Sequence, residues 1–507
     1  MKRTDIKLAG GILVAAALVF AGNASSGPPA AQLVAERPAA SYREVMCPPE
    51  VVRNAQHTAR CGFLTVLENR SRPNGRTIDL FVVRERPNGP LRPDPVLALQ
   101  ELGSTRAWTG PDYLPPRVHR EVITIDHRGL GRSTPSLACP EVERLAGSSM
   151  AAPINNPRTR RTLLPAVQKC RDRLAAQSVD LGTYNLAETA ADAEDLRLAL
   201  GIERWNLRGL GSGARIAFEI LRRYSAHVRA VWLDSPEIPQ LDLLTTGIVG
   251  TRNATERLAT ACASDKDCNQ RFPKLERVIA RNLQAAESRP GAVRGKHDGT
   301  AIPIVLDGGT LLRAYREGLA WAPDAGPSAF HANSVKDARL GYDWLADGPV
   351  FTLGYGVDPG REDVFSHGAY FSTVCHDQLP FVSQSALVAL TRGSPAYREA
   401  FADSPFPAIC RRWGAGQADA DVHAPVTSDV PVLIFAGRFD PYGSPSVAQR
   451  AARTLGRSWV VELPNKGYNG LAGSYCALAA RNAWIDTPTS PPKTTCLKGL
   501  RIRFLLR

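Results

Sequence analysis

Between Trp205 and Tyr224 the sequence reads WNLRGLGSGARIAFEILRRY. An apolar run leads into three glycines, Gly209, Gly211 and Gly213, and an amphipathic pattern through Ile216, Ala217, Ile220 and Leu221 leads out. That order predicts strand, tight turn and helix. Such a turn either lifts a nucleophilic side chain above a parallel sheet or lets a phosphate approach a helix N-terminus. The residue at its apex therefore decides the chemistry.

The flanking segments place this turn in an α/β protein. Ala187 to Leu200 is a strong helix by propensity, with Gly201 where a C-cap belongs, and RAVWLDS at 229–235 reads as the next strand. Helix, strand, turn, helix, strand is βαβ order. Upstream, CGFLTVLE and TIDLFVVRER flank RSRPNGR, whose Asn74-Gly75 signals a hairpin. VLALQ and VITID each end in a Gly-containing loop, QELGSTRAWTG and HRGLGRST, as parallel strands do at their carboxyl ends. Residues 240–415 lose the alternation and read as an insertion of helices and loops, a cap over the sheet. Alternation resumes with VPVLIFAGRFDP, a helix at 445–455, SWVVELP and a helix through Cys476 to Trp484.

Residues 1–24 open with Lys2, Arg3 and Lys7, run apolar from Leu8 to Phe20, and end in Gly22-Asn23-Ala24. This is the pattern of a cleaved export signal, and the apolar run falls short of the roughly 20 residues that span a bilayer. The expected divisions are then a signal at 1–24, a core at 25–239 that begins with a linker at 25–45, the insertion at 240–415 and the rest of the core at 416–507. No integral membrane segment is expected once the signal is cut, and the location is periplasmic or secreted. Ten cysteines suit an oxidising compartment. Cys262 with Cys268 closes a short loop, and Cys47 with Cys61 and Cys476 with Cys496 are the other local options; further pairings do not follow from spacing. No CxxC occurs, so no zinc site is expected. The formal charge of +13 favours anionic surroundings, but no Lys/Arg run is interleaved with aromatics, so no nucleic-acid partner is expected.

Taken together, ARCGFLTV, DHRGLGRS at 126–133, Leu137 to Pro140, ALGIERWNLRG, VWLDSP, CASDKDC and VPVLIFAGRFDP followed by AARTLGRS resemble the α/β-hydrolase-fold serine peptidases. Within them the chain resembles the secreted tripeptidyl-aminopeptidase-like group related to proline iminopeptidases, over nearly all of the chain after the signal. The resemblance implies an eight-stranded, mostly parallel sheet with a helical cap, and a Ser, Asp, His triad in that chain order. Carried over by position, the G-x-S-x-G elbow falls on Gly209, Leu210, Gly211, Ser212 and Gly213, so the nucleophile position holds Gly211. Ser212, one residue on, is the only candidate nucleophile left. Asp440 in GRFDP stands at the acid position, and the loop that should carry His reads NKGYNG, with Tyr468 at the His position. No histidine follows Asp440 at all. The oxyanion loop, glycine-rich in the family, reads Gln100, Glu101, Leu102, Gly103 here. Glu101, Gly103 and Ser212 are then the residues that would face a bound molecule.

A serine hydroxyl needs a base, and a tyrosine with an ordinary pKa near 10 is protonated at neutral pH. An inward Glu101 would oppose an oxyanion. The expectation is a non-catalytic protein that binds a peptide or small molecule, with no cofactor. Two alternatives remain. A peptidase or esterase could work through Ser212, with Lys466 as base and with His127 or His376 lining the cleft, Asp440 otherwise pairing with Arg438 or capping a turn. Alternatively, Gly209, Gly211 and Ala214, with Asp234 ending the next strand, match a dinucleotide fingerprint.

Overall fold

The computed structural model describes residues 40–55, 58–87, 89–104, 119–145, 157–297, 300–321, 365–502 and 504. The expected signal at 1–24, and the linker as far as residue 39, lie outside them. Strands β1 (Ser41–Val45), β2 (Thr58–Leu67), β3 (Thr77–Arg86), β4 (Val96–Leu99), β5 (Val122–Ile125), β6 (Trp205–Leu210) and β7 (Val228–Asp234) precede a hairpin of β8 (Gly291–His297) and β9 (Thr300–Leu306). β10 (Val432–Gly437) and β11 (Ser458–Leu463) follow. The longer helices are α1 (Pro157–Ala176), α2 (Leu186–Ala199), α3 (Gly213–Tyr224), α4 (Leu243–Ser264), α5 (Leu275–Ser288), α6 (Gly308–Trp321), α7 (His367–Asp377), α8 (Phe406–Trp413), α9 (Pro445–Ala452) and α10 (Tyr475–Trp484).

Nine strands form one sheet in the order β1-β2-β3-β5-β4-β6-β7-β10-β11. The first two pairings and β3 with β5 are antiparallel, and from β5 to β11 every pairing is parallel. The architecture is the α/β-hydrolase fold, a mostly parallel sheet covered by helices. Two details differ from the sequence reading. Ser41–Val45 is an edge strand paired with β2 rather than linker, which raises the sheet from eight strands to nine. The stretch between β7 and β10 also contains the β8–β9 hairpin as well as helices. The first departure has no local signal, because SYREV is too short and too polar to announce a strand until β2 offers its backbone, whereas the hairpin has one in Asp298-Gly299 ahead of the apolar run TAIPIVL.

The parallel strands are buried on both faces, as continuous apolar runs require. β4, β5 and β10 are buried at every residue. Leu97, Leu207, Leu233 and Ile434 pack on one face with α2, α3 and α9, while Val96, Ala98, Trp232, Leu433 and Phe435 pack on the other with α10. Asn185 caps α2 by accepting from the Glu188 N–H at 2.9 Å, and Gly201 follows it in a left-handed conformation. Disulfides join Cys47 to Cys61, Cys262 to Cys268 and Cys476 to Cys496, the three local options, and also Cys139 to Cys170 and Cys375 to Cys410. The Cys375–Cys410 bridge ties α7 to α8. Among the described residues no helix is long and apolar enough to cross a membrane.

Candidate functional site

The carboxyl ends of β4, β6, β7, β10 and β11 converge where the strand order reverses, the place at which open α/β sheets present their ligands. Five loops meet there. β6 turns sharply into α3 at Gly211, whose φ is +51°, a left-handed conformation that any side chain would strain. The elbow geometry is therefore present, with its reactive atom missing.

The space above Gly211 is filled. A Cβ on residue 211 would overlap the Tyr468 hydroxyl and stand 2.7 Å from Glu101 Oε1. Tyr468 donates its hydroxyl proton to that Glu101 oxygen in a very short hydrogen bond. Tyrosine at the His position and glycine at the nucleophile position are thus one arrangement, since the phenol occupies the volume a serine would need. Burial raises the Glu101 carboxyl from 4.5 to about 7, against the lowering effect of the Tyr468 hydrogen bond, and the Tyr468 phenol is pushed well above 10 by burial and then by the Glu101 charge. A phenol so placed is a poorer base than free tyrosine.

Ser212 lies at the head of α3 and turns away from the apex. Its Oγ accepts the Leu102 backbone N–H at 2.9 Å. That contact fixes the loop after β4 and consumes a backbone donor next to the site. The same loop is held from the insertion: Gly103 O accepts the Ser366 N–H at 2.8 Å, and Ser104 bridges to Phe365.

Asp440, expected at the acid position, is fully buried after β10. Its Oδ1 accepts the Tyr442 N–H at 2.7 Å, so it does cap a turn, whereas Arg438 pairs with Glu462. Asp440 Oδ2 is buried without a partner among the described residues, and burial raises this carboxyl to about 6. The other sequence candidates are buried or paired. His127 is buried, and that burial lowers it to about 4. His376 Nδ1 lies 2.7 Å from Asp377 Oδ1, whose second oxygen accepts the Leu186 N–H at the start of α2. Lys466 is buried in the loop that follows β11.

Sequence reasoning missed Tyr442, Arg316 and Glu317. The Tyr442 hydroxyl donates to Glu317 Oε1, the Arg316 guanidinium lies 3.8 Å above the Tyr442 ring, and the Tyr442 and Tyr468 rings meet edge-on at 5.2 Å. Through these contacts α6 presses onto the elbow, and its Ala320 carbonyl accepts the Tyr468 N–H at 2.9 Å. Only the adjacency of Tyr442 to Asp440 could have marked it; Arg316 and Glu317 sit in an ordinary helix within the insertion.

A strand-elbow-helix at a sheet's switch point, with an acid after β10, decides the family. The chain has the α/β-hydrolase fold and a TAP-like C-terminal region. The α/β hydrolase fold family matches residues 101–258, and the TAP-like protein family matches residues 394–496. This hydrolase-fold chain is 26% identical over 233 residues to the serine protease Hip1 of Mycobacterium tuberculosis, a match covering 41% of this chain and 42% of that protein. It is also 26% identical over 245 residues to a carboxylesterase B of the same species, covering 45% of each. The matched stretches thus span less than half the length of these curated relatives. A proline iminopeptidase structure from Mycobacterium smegmatis is similar over 81% of this chain and 96% of that one, at 14% identity and a TM-score of 0.37. Among the described residues no group of three or more His, Cys, Asp or Glu side chains stands close enough to hold a metal ion.

Proposed function

We propose that this TAP-like α/β-hydrolase is an exported pseudoenzyme, a protein that has kept the hydrolase scaffold and given up triad hydrolysis, and that acts by binding a peptide or small molecule. One observation carries the loss of hydrolysis: the Tyr468 hydroxyl, bonded to Glu101, stands in the volume that a nucleophile side chain at position 211 would need. In triad enzymes the nucleophile and the base together supply most of the rate, and about 10³ to 10⁴ over water survives their removal through the oxyanion hole and binding. Glu101 in the oxyanion loop works against even that remainder.

In this reading residues 240–415 are a cap, residues 25–239 and 416–507 the two parts of the core, and residues 1–24 a cleaved signal. Glu101, Gly103 and Ser212 line the cleft beneath the cap. Five disulfides that leave no free cysteine among the described residues support an oxidising compartment. The alternative of hydrolysis through Ser212 is disfavoured because its Oγ is held by the Leu102 N–H. The dinucleotide reading is disfavoured because Asp234, needed for a ribose, is buried and accepts the Leu471 N–H at 3.1 Å.

The test is to export the full chain with its disulfides formed and to assay chromogenic peptide amides and short esters beside Ser212→Ala. Rates equal to those of the variant, and no labelling of the wild type by a fluorophosphonate probe, are expected. Turnover that Ser212→Ala abolishes would sink the proposal. Titrating short peptides against tryptophan fluorescence addresses the binding half separately.

A further inference from the structure

On the face of the sheet that α10 covers, a set of buried donors faces too few acceptors. Strand alternation places Arg208 of β6 and Trp232 of β7, directly paired, on this face, with Asp234 two residues further on. Helix α10 brings Arg481 and Trp484 to the same face, three residues apart on one side of the helix. The Arg481 guanidinium lies 5.2 Å from the centre of the Trp232 ring, and the residue is 1% exposed.

Arg481 Nε donates to Asn482 Oδ1 at 2.8 Å. Its Nη2 and the indole nitrogens of Trp232 and Trp484 are buried without a partner among the described residues. Guanidinium and indole nitrogens only donate, so none of the three can satisfy another. A buried guanidinium without a counter-charge is among the costliest groups a fold can hold. Asp234 is the carboxylate at hand, but its Oδ2 is engaged by the Leu471 N–H, its Oδ1 faces Ser235 Oγ at 3.4 Å, and burial raises it to about 7. Burial, with Arg208 adding to it, lowers the Arg481 guanidinium to about 9, which again marks a charge short of compensation. A water molecule would bring two further donors into a place already rich in them. A monatomic anion brings only acceptance, together with the missing negative charge.

We propose that this corner is a binding site for a small inorganic anion, chloride being the physiological one, held by Arg481 Nη2 and the indole N–H groups of Trp232 and Trp484. The site lies behind the elbow and is separate from it. It is nevertheless coupled to it, because the Asp234 backbone carbonyl accepts the Gly211 N–H at 3.1 Å while its carboxyl holds the loop that carries Tyr468.

The test uses the whole disulfide-bonded chain, exchanged into sodium gluconate, with chloride or bromide replacing gluconate at constant ionic strength. Thermal and urea midpoints should rise with the logarithm of halide concentration once it exceeds the dissociation constant, the unfolding equilibrium constant falling about 100-fold when halide exceeds that constant 100-fold. Arg481→Gln should remove the halide dependence. Trp484→Phe, a milder change that keeps the core filled, should weaken it, and decides the matter if Arg481→Gln does not fold. Iodide should quench part of the tryptophan emission saturably in the wild type and less in Trp484→Phe. A midpoint that follows ionic strength alone, or a folded Trp484→Phe protein with undiminished halide dependence, would overturn the assignment.

Discussion

Glu101 and Tyr468 fill the space above Gly211 with two hydrogen-bonded side chains. The acid stands among Glu237, Glu317 and Arg208, and its partner is a phenol that burial has made harder to ionise. Its proton affinity therefore differs between the folded and unfolded chain, about 7 against 4.5. Between those values the folded protein holds the proton and the unfolded chain releases it, so stability falls as pH rises through that window and levels off above it. The shift corresponds to a loss of about 3 kcal/mol for this one group, as an order of magnitude. Glu101→Gln keeps an acceptor for Tyr468 and removes the charge. Relative to the wild type it should gain stability on going from pH 5 to pH 8, read as urea midpoints; an unchanged difference between the two pH values would count against a buried, proton-holding Glu101.

At the scale of elements, the plug depends on how closely α6 approaches the loop after β11. Gly467 meets the last turn of α6 with no room for a side chain, since a Cβ there would overlap both the Leu319 and Ala320 carbonyl oxygens. Gly467→Ala should push the helix end off the loop, lengthen the Tyr468 N–H to Ala320 bond and destabilise the protein by about 1–3 kcal/mol. Limited proteolysis should then cut within 308–321 faster than in the wild type; equal cutting rates would mean that the helix is not seated by this contact. The elements that frame the site were legible because each carries its signal within one short window: the alternation of β2 and β3 around Asn74-Gly75, the apolar runs of β4, β6, β7 and β10, the helix that stops at Gly201. Gly211, Asp440 and Tyr468 were legible as positions in a motif. Their meeting was not, because the overlap of a phenol with a missing Cβ depends on two loops far apart in sequence, at 211 and 468. Glu317 and Tyr442 were hidden for the same reason, and β1 because an edge strand is defined by its neighbour.

For the whole molecule, the five disulfides are local in sequence, with separations from 6 to 35 residues, and none joins the insertion to the sheet. Bridges of this kind contribute typically about 2–4 kcal/mol each by restricting the unfolded chain. The protein should therefore show no alkylatable thiol before reduction and ten after it, with a lower melting temperature once reduced. A native product with free thiols would contradict the oxidising setting. The interlock at the elbow carries a different consequence, one about descent. A serine returned to position 211 would collide with Tyr468, and a histidine returned to position 468 would leave Glu101 without its phenol while Gly211 still offered nothing to activate. Each backward step alone is harmful or useless. Under the proposed reading the fit between glycine and tyrosine works as a ratchet, because positions 211 and 468 would have to change together before Asp440 could serve a triad.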